Sequence, residues 1–476
     1  MMNKILTYTC SLLFLIVACK PKEKTVVAQN KQELQDKSQK PMNVLFIAID
    51  DLRPELGCYG APQVKSPNID QFAKEAVVFN RAYCNVPVCG ASRASLLTSI
   101  LPTKNRFIDY RAKAQEDVPN AKTLPSLFKD AGYTSISNGK IFHYNKDVQE
   151  ASWSENPWMP KGGHRVSYDS TTNNVVMKSG NGRVYEAPDV EDSAYPDYKI
   201  AQKTIKDLRR FKKSGESFFM ACGFFRPHMP FYAPKKYWDM YDRDAIAVAD
   251  NRHLPENAPK PLRGSTEFKT YSFGDYKPNT EAFHKMMRHG YYACVSYVDQ
   301  MVGDVLKELE TLGLAENTIV VLWGDHGWHL GEHEFWGKHN TLHNALQVPL
   351  IVKVPGKAKG QHTEAMVESV DIYPTLCDLT NLDTPDYIMG ESFKSVLDNP
   401  KQSFRENAYA RFKKADAIVT EGFTYSLYEN GEEMLYNLKL DPEENKNVVK
   451  NNSYIEVLED MRNALKIKQE QAISYK

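Results

Sequence analysis

The stretch NVLFIAIDD, residues 43–51, is an unbroken apolar run that ends in two adjacent aspartates. A short apolar run of this kind is typical of a strand buried on both faces of a parallel sheet. Four later segments have the same character, each leading into polar residues or a turn: YTSISNGKIFH (133–143), SFFMACGFFRPHMPF (217–231), TIVVLWGDHGW (318–328) and VPLIVKVPG (348–356). The five segments together predict the strands of one buried sheet.

Amphipathic helices are predicted between these strands. Ser66 and Pro67 suit the start of a helix over NIDQFAKEAVVF. Residues 281–313 place apolar side chains at three- and four-residue steps, and Gly313 suits the end of that helix. Strands that alternate with helices indicate an α/β fold, in which a large, mainly parallel sheet is flanked by helices.

Polar side chains follow four of the predicted strands, at the points where these strands end. Ligands of parallel sheets bind at the carboxyl ends of the strands, which makes these side chains candidate site residues: Asp50, Asp51, Lys140, His143, His228, Asp325 and His326. The three aspartates predict an oxygen-rich metal site that favours calcium or magnesium over zinc. A solvated turn is the alternative for the acid pair taken alone.

Cys89 lies in the stretch CNVPVCGASRASLLTS, residues 84–99, directly before a segment with a helical pattern. The N-terminus of a helix stabilises a thiolate through the helix dipole and free N–H groups, so Cys89 is a candidate reactive cysteine. A buried structural cysteine is the alternative. The six cysteines beyond residue 19 show no C-x-x-C spacing, which argues against a zinc site and does not specify a disulfide framework.

The chain of 476 residues carries 60 basic and 60 acidic side chains, and this balance argues against nucleic-acid binding driven by bulk charge. Near its start, a short apolar run over residues 12–18 is typical of a signal peptide and too short to span a bilayer. The ending IVAC resembles the lipobox of bacterial lipoproteins, which implies lipidation of Cys19. The alternative is an ordinary secretory signal peptide that is cleaved elsewhere. The expected location is the bacterial cell envelope, in the periplasm or at the outer-membrane or cell surface, with a lipid as the sole membrane anchor.

Four segments are expected along the chain: a signal peptide (1–18), a polar, flexible tether (19–41), a large domain with the candidate site (42–390) and a smaller C-terminal α+β subdomain (391–476). The last segment contains short runs typical of antiparallel strands, followed by a final helix. Two long irregular segments, 144–200 and 229–282, are interpreted as walls of a substrate cleft, with plain surface insertions as the alternative.

The pentapeptide CGASR, Cys89–Arg93, resembles the C-x-[PA]-x-R signature of the type I sulfatases, in which a dedicated enzyme oxidises the cysteine to formylglycine (3-oxoalanine). The resemblance extends along nearly the whole chain, in family order, through NVLFIAIDDLRPELGCYG, SPNIDQFAKEAVVFNRAY, GKIFH, RPHMPF, GDHGWHLGEHEFWGKH and YNLKLDPEENKNV. Within the family, the sequence is most similar to the iduronate-2-sulfatases and their bacterial polysaccharide-sulfatase relatives.

The resemblance implies a fold like that of alkaline phosphatase and one bound calcium ion. It also implies a partner that oxidises the cysteine, either a formylglycine-generating enzyme or an anaerobic sulfatase-maturating enzyme. Five residues would surround the calcium ion: Asp50, Asp51, Cys89 as formylglycine, Asp325 and His326. Because calcium prefers oxygen ligands, contact with the substrate sulfate is the alternative role for His326.

The same resemblance implies how the remaining residues act on a sulfate ester. Arg93 and Lys140 hold the hydrated aldehyde, and one of its hydroxyls attacks sulfur in line. His228, together with Lys338, protonates the departing sugar oxygen. His143 takes the proton of the second hydroxyl, so that sulfate leaves and the aldehyde returns.

The substrate implied by the relatives is a 2-O-sulfate on a uronic acid or a related sugar, in a host glycosaminoglycan or an algal glycan such as ulvan. Trp328 is a candidate for stacking on the sugar, and His339 and Arg106 are candidate partners for its carboxylate. One alternative is a phosphatase or phosphonate hydrolase of the same fold, but Cys89 argues against it. The other is a non-catalytic glycan-binding lipoprotein, which would be expected to lack several of these residues.

Overall fold

The computed structural model describes residues 41–168 and 182–475, and its strands form a large central sheet, a smaller C-terminal sheet and two short pairs. In chain order the strands are β1 (Asn43–Ile49), β2 (Val77–Tyr83), β3 (Thr134–Gly139), β4 (Tyr185–Glu186), β5 (Phe218–Phe224), β6 (Phe231–Tyr232), β7 (Thr318–Gly324), β8 (His329–Leu330), β9 (Trp336–Gly337), β10 (Gln347–Lys353), β11 (Gln361–Glu368), β12 (Asn407–Phe412), β13 (Ala415–Thr420), β14 (Phe423–Tyr428) and β15 (Glu433–Asn437).

The central sheet has the strand order β11-β2-β10-β7-β1-β5-β3, and only β10 runs against its neighbours. All residues of β1, β5 and β7 are buried, which explains why these strands are apolar throughout rather than alternating. Ile49 at the end of β1 pairs with Phe224 of β5 and with Gly324 of β7, so the carboxyl ends of the three strands lie level. The predicted α/β fold with a mixed, mainly parallel sheet is confirmed.

Helices cover the sheet and connect its strands. They are α1 (Pro67–Ala73), α2 (Cys89–Thr98), α3 (Ala114–Asp117), α4 (Leu124–Asp130), α5 (Gln149–Ser152), α6 (Pro196–Ser214), α7 (Lys235–Trp238), α8 (Glu281–Thr311), α9 (His343–Leu346), α10 (Ile372–Thr380), α11 (Lys394–Asp398) and α12 (Ile455–Ile473). The long helix α8 starts where the Thr280 hydroxyl accepts a hydrogen bond from the N–H of Phe283, and Gly313 follows its end with φ 62°. The amphipathic pattern therefore predicted this helix correctly.

The C-terminal part contains the predicted antiparallel sheet, with β12, β13, β14 and β15 side by side, followed by α12. A buried ion cluster joins it to the edge of the central sheet. Glu368 at the end of β11 accepts hydrogen bonds from Lys468 of α12 (3.1 Å) and from the N–H of Tyr409 in β12 (3.0 Å). These contacts lie within one compact unit that starts at Met42.

The predicted signal peptide, most of the tether and Cys19 lie outside the described residues. In the described ranges, no helix combines the length and the apolar character needed to cross a bilayer. The six cysteines in these ranges are free thiols, so the described part of the chain contains no disulfide: Cys58, Cys84, Cys89, Cys222, Cys294 and Cys377.

Candidate active site

Cys89 is the first residue of α2 and is 3% exposed. Its Sγ lies 3.3 Å from Nδ1 of His143. Burial alone would raise the pKa of the thiol, but Lys140 and Lys338 bring the pKa of Cys89 below its usual value. The next residue, Gly90, packs against the main chain of Tyr110, where a Cβ would stand 2.1 Å from the Tyr110 carbonyl oxygen. The small residue therefore allows the Tyr110 segment to lie directly beside Cys89.

Arg93, one helical turn after Cys89, ties α2 to the ends of three strands. Its Nε donates to Asp325 Oδ2 at 2.8 Å, and its guanidinium also lies 3.5 Å from Asp50 Oδ1. Further hydrogen bonds reach the carbonyl oxygens of Lys140 and Ile141. The side chain is fully buried, and although burial opposes its charge, Asp325 and Asp50 raise the pKa of Arg93.

Asp50, Asp51, Asp325 and His326 bring one potential metal ligand each into a cluster whose atoms all lie within 4.8 Å of one another. All four residues are fully buried. His326 Nδ1 lies 3.0 Å from the carbonyl oxygen of Gly327, which only accepts, so the proton is on Nδ1 and the lone pair is on Nε2. This Nε2 lies 3.3 Å from Asp51 Oδ1, and neither Nε2 nor Asp51 Oδ2 has a hydrogen-bond donor. Converging lone pairs without donors fit a divalent cation.

The charge of this cluster is unevenly compensated. Burial raises the pKa of Asp51 well above its usual value despite the opposing effect of Lys338, and Asp50 adds to the rise. Burial acts on Asp50 in the same direction, but Lys140, with its Nζ 2.5 Å from Asp50 Oδ2, holds the pKa of Asp50 well below its usual value. At Asp51, burial and the neighbouring carboxylates therefore outweigh the ammonium group of Lys338, and such an excess of negative charge is expected of a cation site.

Two histidines face the same space. Burial, and then Lys140, lower the pKa of His143 to about 3, so this imidazole is neutral at ordinary pH. His228 Nδ1 lies 2.6 Å from the carbonyl oxygen of Met229, which places its proton on Nδ1 and turns Nε2 toward the site. Burial, and then Lys338, lower the pKa of His228 well below its usual value.

A sulfatase family profile matches residues 42–382 of the chain, and a profile for the C-terminal part of N-sulphoglucosamine sulphohydrolase matches residues 331–471. The first match spans most of the chain and includes the whole cluster around Cys89. The chain belongs to the sulfatase family. It is accordingly a hydrolase of sulfate esters, and the expectation drawn from CGASR is confirmed.

Curated relatives of this sulfatase come from mammals and from bacteria. Iduronate 2-sulfatase from Mus musculus is 33% identical over 411 residues, which cover 77% of this chain and 73% of the relative. An ulvan-active sulfatase from Formosa agariphila is 30% identical over 457 residues, which cover 92% of this chain and 81% of the relative. Among solved structures, the phosphonate monoester hydrolase of Agrobacterium radiobacter matches this chain with a TM-score of 0.76. The match covers 91% of this chain and 96% of the hydrolase, at 22% sequence identity, and shows a shared fold alone.

The seven residues that end the four strands meet in this sulfatase as predicted, and Lys338 joins them with its Nζ 2.6 Å from Asp51 Oδ1. Trp328 does not offer a surface for sugar stacking because it is fully buried. Its ring stacks on Tyr291, with 6.5 Å between centroids and 17° between planes. Lys338 Nζ lies 4.9 Å from the Trp328 ring, so this tryptophan supports the lysine from below the site.

The structure also places Arg106 in a structural position rather than beside a substrate. Its guanidinium donates to the carbonyl oxygens of Leu101 (2.8 Å) and Ala472, and lies over the ring of Tyr475. These contacts bind the end of α12, which explains why the arginine is 8% exposed. The third candidate, His339, is half-buried and stacks on Phe412 with 5.3 Å between centroids, and burial and Lys338 lower its pKa well below the usual value.

Three residues near the cluster carried no motif and were missed by the sequence analysis. Glu267 reaches both His228 and Lys338 from the solvent side. His164 has its ring 4.9 Å from that of His228. Tyr110 is 51% exposed, with its ring centroid 6.0 Å from that of His143. The first two belong to the irregular segments 229–282 and 144–200, in agreement with the interpretation of these segments as cleft walls.

Proposed function

We propose that this sulfatase removes a 2-O-sulfate from a uronic acid or a related sugar of a sulfated glycan, through a formylglycine made from Cys89. The observation that carries the proposal is the position of Cys89 at the N-terminus of α2, between Arg93, Lys140 and His143, within the CGASR sequence. The substrate class is supported by the relatives, one of which is an iduronate 2-sulfatase and another an ulvan-active sulfatase.

The metal in this proposal is one calcium ion, held by Asp50, Asp51, Asp325 and His326. Three carboxylates with one imidazole suit a hard cation better than zinc, which takes more nitrogen and sulfur ligands. When bound, calcium supplies positive charge to the sulfate oxygens and to the attacking oxygen. Formylglycine supplies a hydrated aldehyde, whose two hydroxyls serve the attack on sulfur and the later release of sulfate.

The chain's own residues supply charge and proton transfer. Arg93 and Lys140 are fixed by buried ion pairs and direct positive charge at the position of the Cys89 Sγ, where the modified side chain stands. His143, neutral and 3.3 Å from that Sγ, accepts the proton of the hydroxyl formed there. His228 Nε2 and Lys338 Nζ face the leaving oxygen. A bound sulfate ester adds negative charge beside His228 and raises its pKa toward a value at which it donates a proton.

Tyr110 is proposed as the aromatic surface for the sugar, in place of the buried Trp328. The Tyr110 ring is exposed, and its main chain is held against Gly90, next to Cys89. A sugar ring whose ester reaches Cys89 would lie against this tyrosine, and the face of a pyranose packs well on an aromatic ring. Tyr110 thus extends the site from the sulfate group to the sugar that carries it.

Maturation and location complete the proposal. Cys89 is oxidised by a formylglycine-generating or anaerobic sulfatase-maturating enzyme, and the protein is held at the bacterial envelope by a lipid on Cys19. The support for the anchor is the sequence IVAC alone, since these residues lie outside the described ranges.

Mass spectrometry of protein made with a maturating enzyme tests the nucleophile, because conversion of the Cys89 thiol to an aldehyde lowers the mass by about 18 Da. Sulfate release is then measured from defined 2-O-sulfated disaccharides, beside a phosphonate monoester as the competing substrate class. Cys89→Ser abolishes release, and Cys84→Ser, a matched buried cysteine whose Sγ lies 3.7 Å from the carbonyl of Ala345, retains it. Unmodified Cys89 in fully active protein, or preference for the phosphonate, would show the proposal to be wrong.

A further inference from the structure

We propose that Glu267 is a specificity residue that fits the pocket to an ester with one negative charge and disfavours a second negative charge beside the leaving oxygen. The inference rests on the proposed function, because it takes the leaving oxygen to lie next to His228 and Lys338. It concerns a carboxylate that the reaction as described above does not use.

The position of Glu267 is fixed by local structure. It opens the 3₁₀ helix Glu267–Thr270, and its N–H donates to Ser265 Oγ at 3.2 Å. One carboxylate oxygen lies 3.4 Å from His228 Nε2, and the other lies 3.5 Å from Lys338 Nζ. The Glu267 side chain is 25% exposed, whereas those of His228 and Lys338 are 6% and 1% exposed. A group that reaches both His228 Nε2 and Lys338 Nζ from solvent therefore has to approach this carboxylate.

Glu267 changes the net charge of the pocket. Three cations line it, Arg93, Lys140 and Lys338, against the three carboxylates of the metal cluster. With Glu267 included, the protein side carries one negative charge in excess, and a bound divalent cation turns this into an excess of one positive charge. That excess matches a sulfate monoester, which carries one negative charge. A glutamine at this position would leave two positive charges, which suit a dianion equally well.

The charge difference acts at one oxygen position. In a sulfate ester, three oxygens share the negative charge, and the fourth is the neutral bridge to the sugar. In free sulfate, four equivalent oxygens share two charges, so the fourth position is taken by an anionic oxygen, and in this site it would lie beside the Glu267 carboxylate. The same repulsion applies to a carboxylate or second sulfate on the neighbouring sugar carbon, whereas a hydroxyl there can donate a hydrogen bond to Glu267. Glu267 therefore favours substrate over product and a hydroxyl over an anionic neighbour.

Binding of two small anions tests this directly. Sulfamate carries one negative charge and a neutral NH2 group in the fourth position, whereas sulfate carries two charges, so the ratio of their Kd values isolates the second charge. Calorimetry compares the wild type, Glu267→Gln and the matched control Glu191→Gln, an exposed glutamate at another 3₁₀ helix, in calcium-loaded and metal-free protein. We expect Glu267→Gln to tighten sulfate binding about tenfold more than sulfamate binding in both forms, and the control to leave the ratio unchanged.

Three results would overturn the inference. The first is a ratio of sulfate to sulfamate Kd values in Glu267→Gln that stays within about twofold of the wild-type ratio. The others are an equal change of this ratio in Glu191→Gln, or no sulfamate binding by the calcium-loaded wild type. Sulfate release from 2-O-sulfated disaccharides separates these results from a failure of the proposed function. If the wild type releases no sulfate, the proposed substrate is wrong, and the ratio of Kd values still reports on Glu267. If the wild type releases sulfate, we expect inorganic sulfate to inhibit Glu267→Gln about tenfold more strongly than the wild type. A purely structural role of Glu267 would lower kcat without changing this inhibition.

Discussion

Substitution of Tyr291 by phenylalanine tests how the protein holds the carboxylates that we propose as metal ligands. Tyr291 lies on α8 and is fully buried. Its hydroxyl donates to the carbonyl oxygen of Asp51 (2.9 Å) and accepts from the N–H of Arg53 (3.0 Å). Burial raises the pKa of Tyr291 well above its usual value, so the hydroxyl keeps its proton. Asp51 has φ 61°, in the left-handed region that is uncommon for residues other than glycine, and these two hydrogen bonds hold the chain directly after it.

The expected cost follows from these contacts. Tyr291→Phe keeps the ring and its stacking on Trp328, but leaves one carbonyl and one N–H without their partner. A buried polar group left in this way costs about 1–3 kcal/mol, so the free energy of unfolding should fall by about 2–6 kcal/mol. Loss of support for a metal ligand typically weakens metal binding by about 10–100-fold, and we expect that range for calcium.

The same helix offers a matched control. Tyr297 is also fully buried, and its hydroxyl donates to the carbonyl oxygen of Asp192 (3.2 Å) and accepts from the N–H of Tyr198 (3.1 Å). Urea denaturation and calcium titration of both variants separate stability from metal binding. Tyr297→Phe should lose comparable stability and retain calcium affinity. Wild-type calcium affinity in Tyr291→Phe, or an equal loss of calcium affinity in both variants, would show that the Tyr291 hydroxyl does not support calcium binding.

Three further predictions follow from other contacts. Tyr110→Ala should raise KM for a sulfated oligosaccharide about fivefold to tenfold with little change in kcat, because its exposed ring is lost for sugar packing; steady-state kinetics that show only a fall in kcat would contradict this. Gly90→Ala should lower the free energy of unfolding by about 1–3 kcal/mol in urea denaturation, since its Cβ would stand 2.1 Å from the Tyr110 carbonyl oxygen, and unchanged stability would disagree with that packing. Burial raises the pKa of Glu444 from 4.5 to about 7, so the folded state binds more protons in this window and stability falls as pH rises through it. Glu444→Gln should reduce the change in the free energy of unfolding between these pH values by at most about 3 kcal/mol, as measured by urea denaturation. An unchanged pH dependence would contradict the raised pKa of this buried acid.

Local sequence was sufficient to predict the strands that carry the site. The apolar runs around β1, β5 and β7 predicted buried strands, and the acids after them predicted a cluster, because parallel strands end at one edge of the sheet. The resemblance carried by CGASR then predicted the family, which the profile over residues 42–382 confirms. Both kinds of signal are local in the chain, so one sequence was enough to find them.

Side-chain environment was less predictable. Trp328 lies two residues after His326, yet its ring turns into the core against Tyr291. Arg106 is a cation in a suitable part of the chain, but the carbonyl of Ala472, 366 residues away, takes its hydrogen bond. Glu267 carries no motif, and its contacts with His228 and Lys338 arise from a 3₁₀ turn within an irregular segment.

From the sequence alone, this chain was predicted to build a mainly parallel α/β sheet with an acid cluster and the cysteine of a sulfatase signature at one edge. These properties depend on hydrophobic periodicity and short motifs, which neighbouring residues specify. The face that each side chain presents, and the charges that meet, became known from the three-dimensional packing. The reason is physical: burial, ion pairs and pKa shifts depend on contacts between residues far apart in the chain, as between Lys338 and Asp51, 287 positions away.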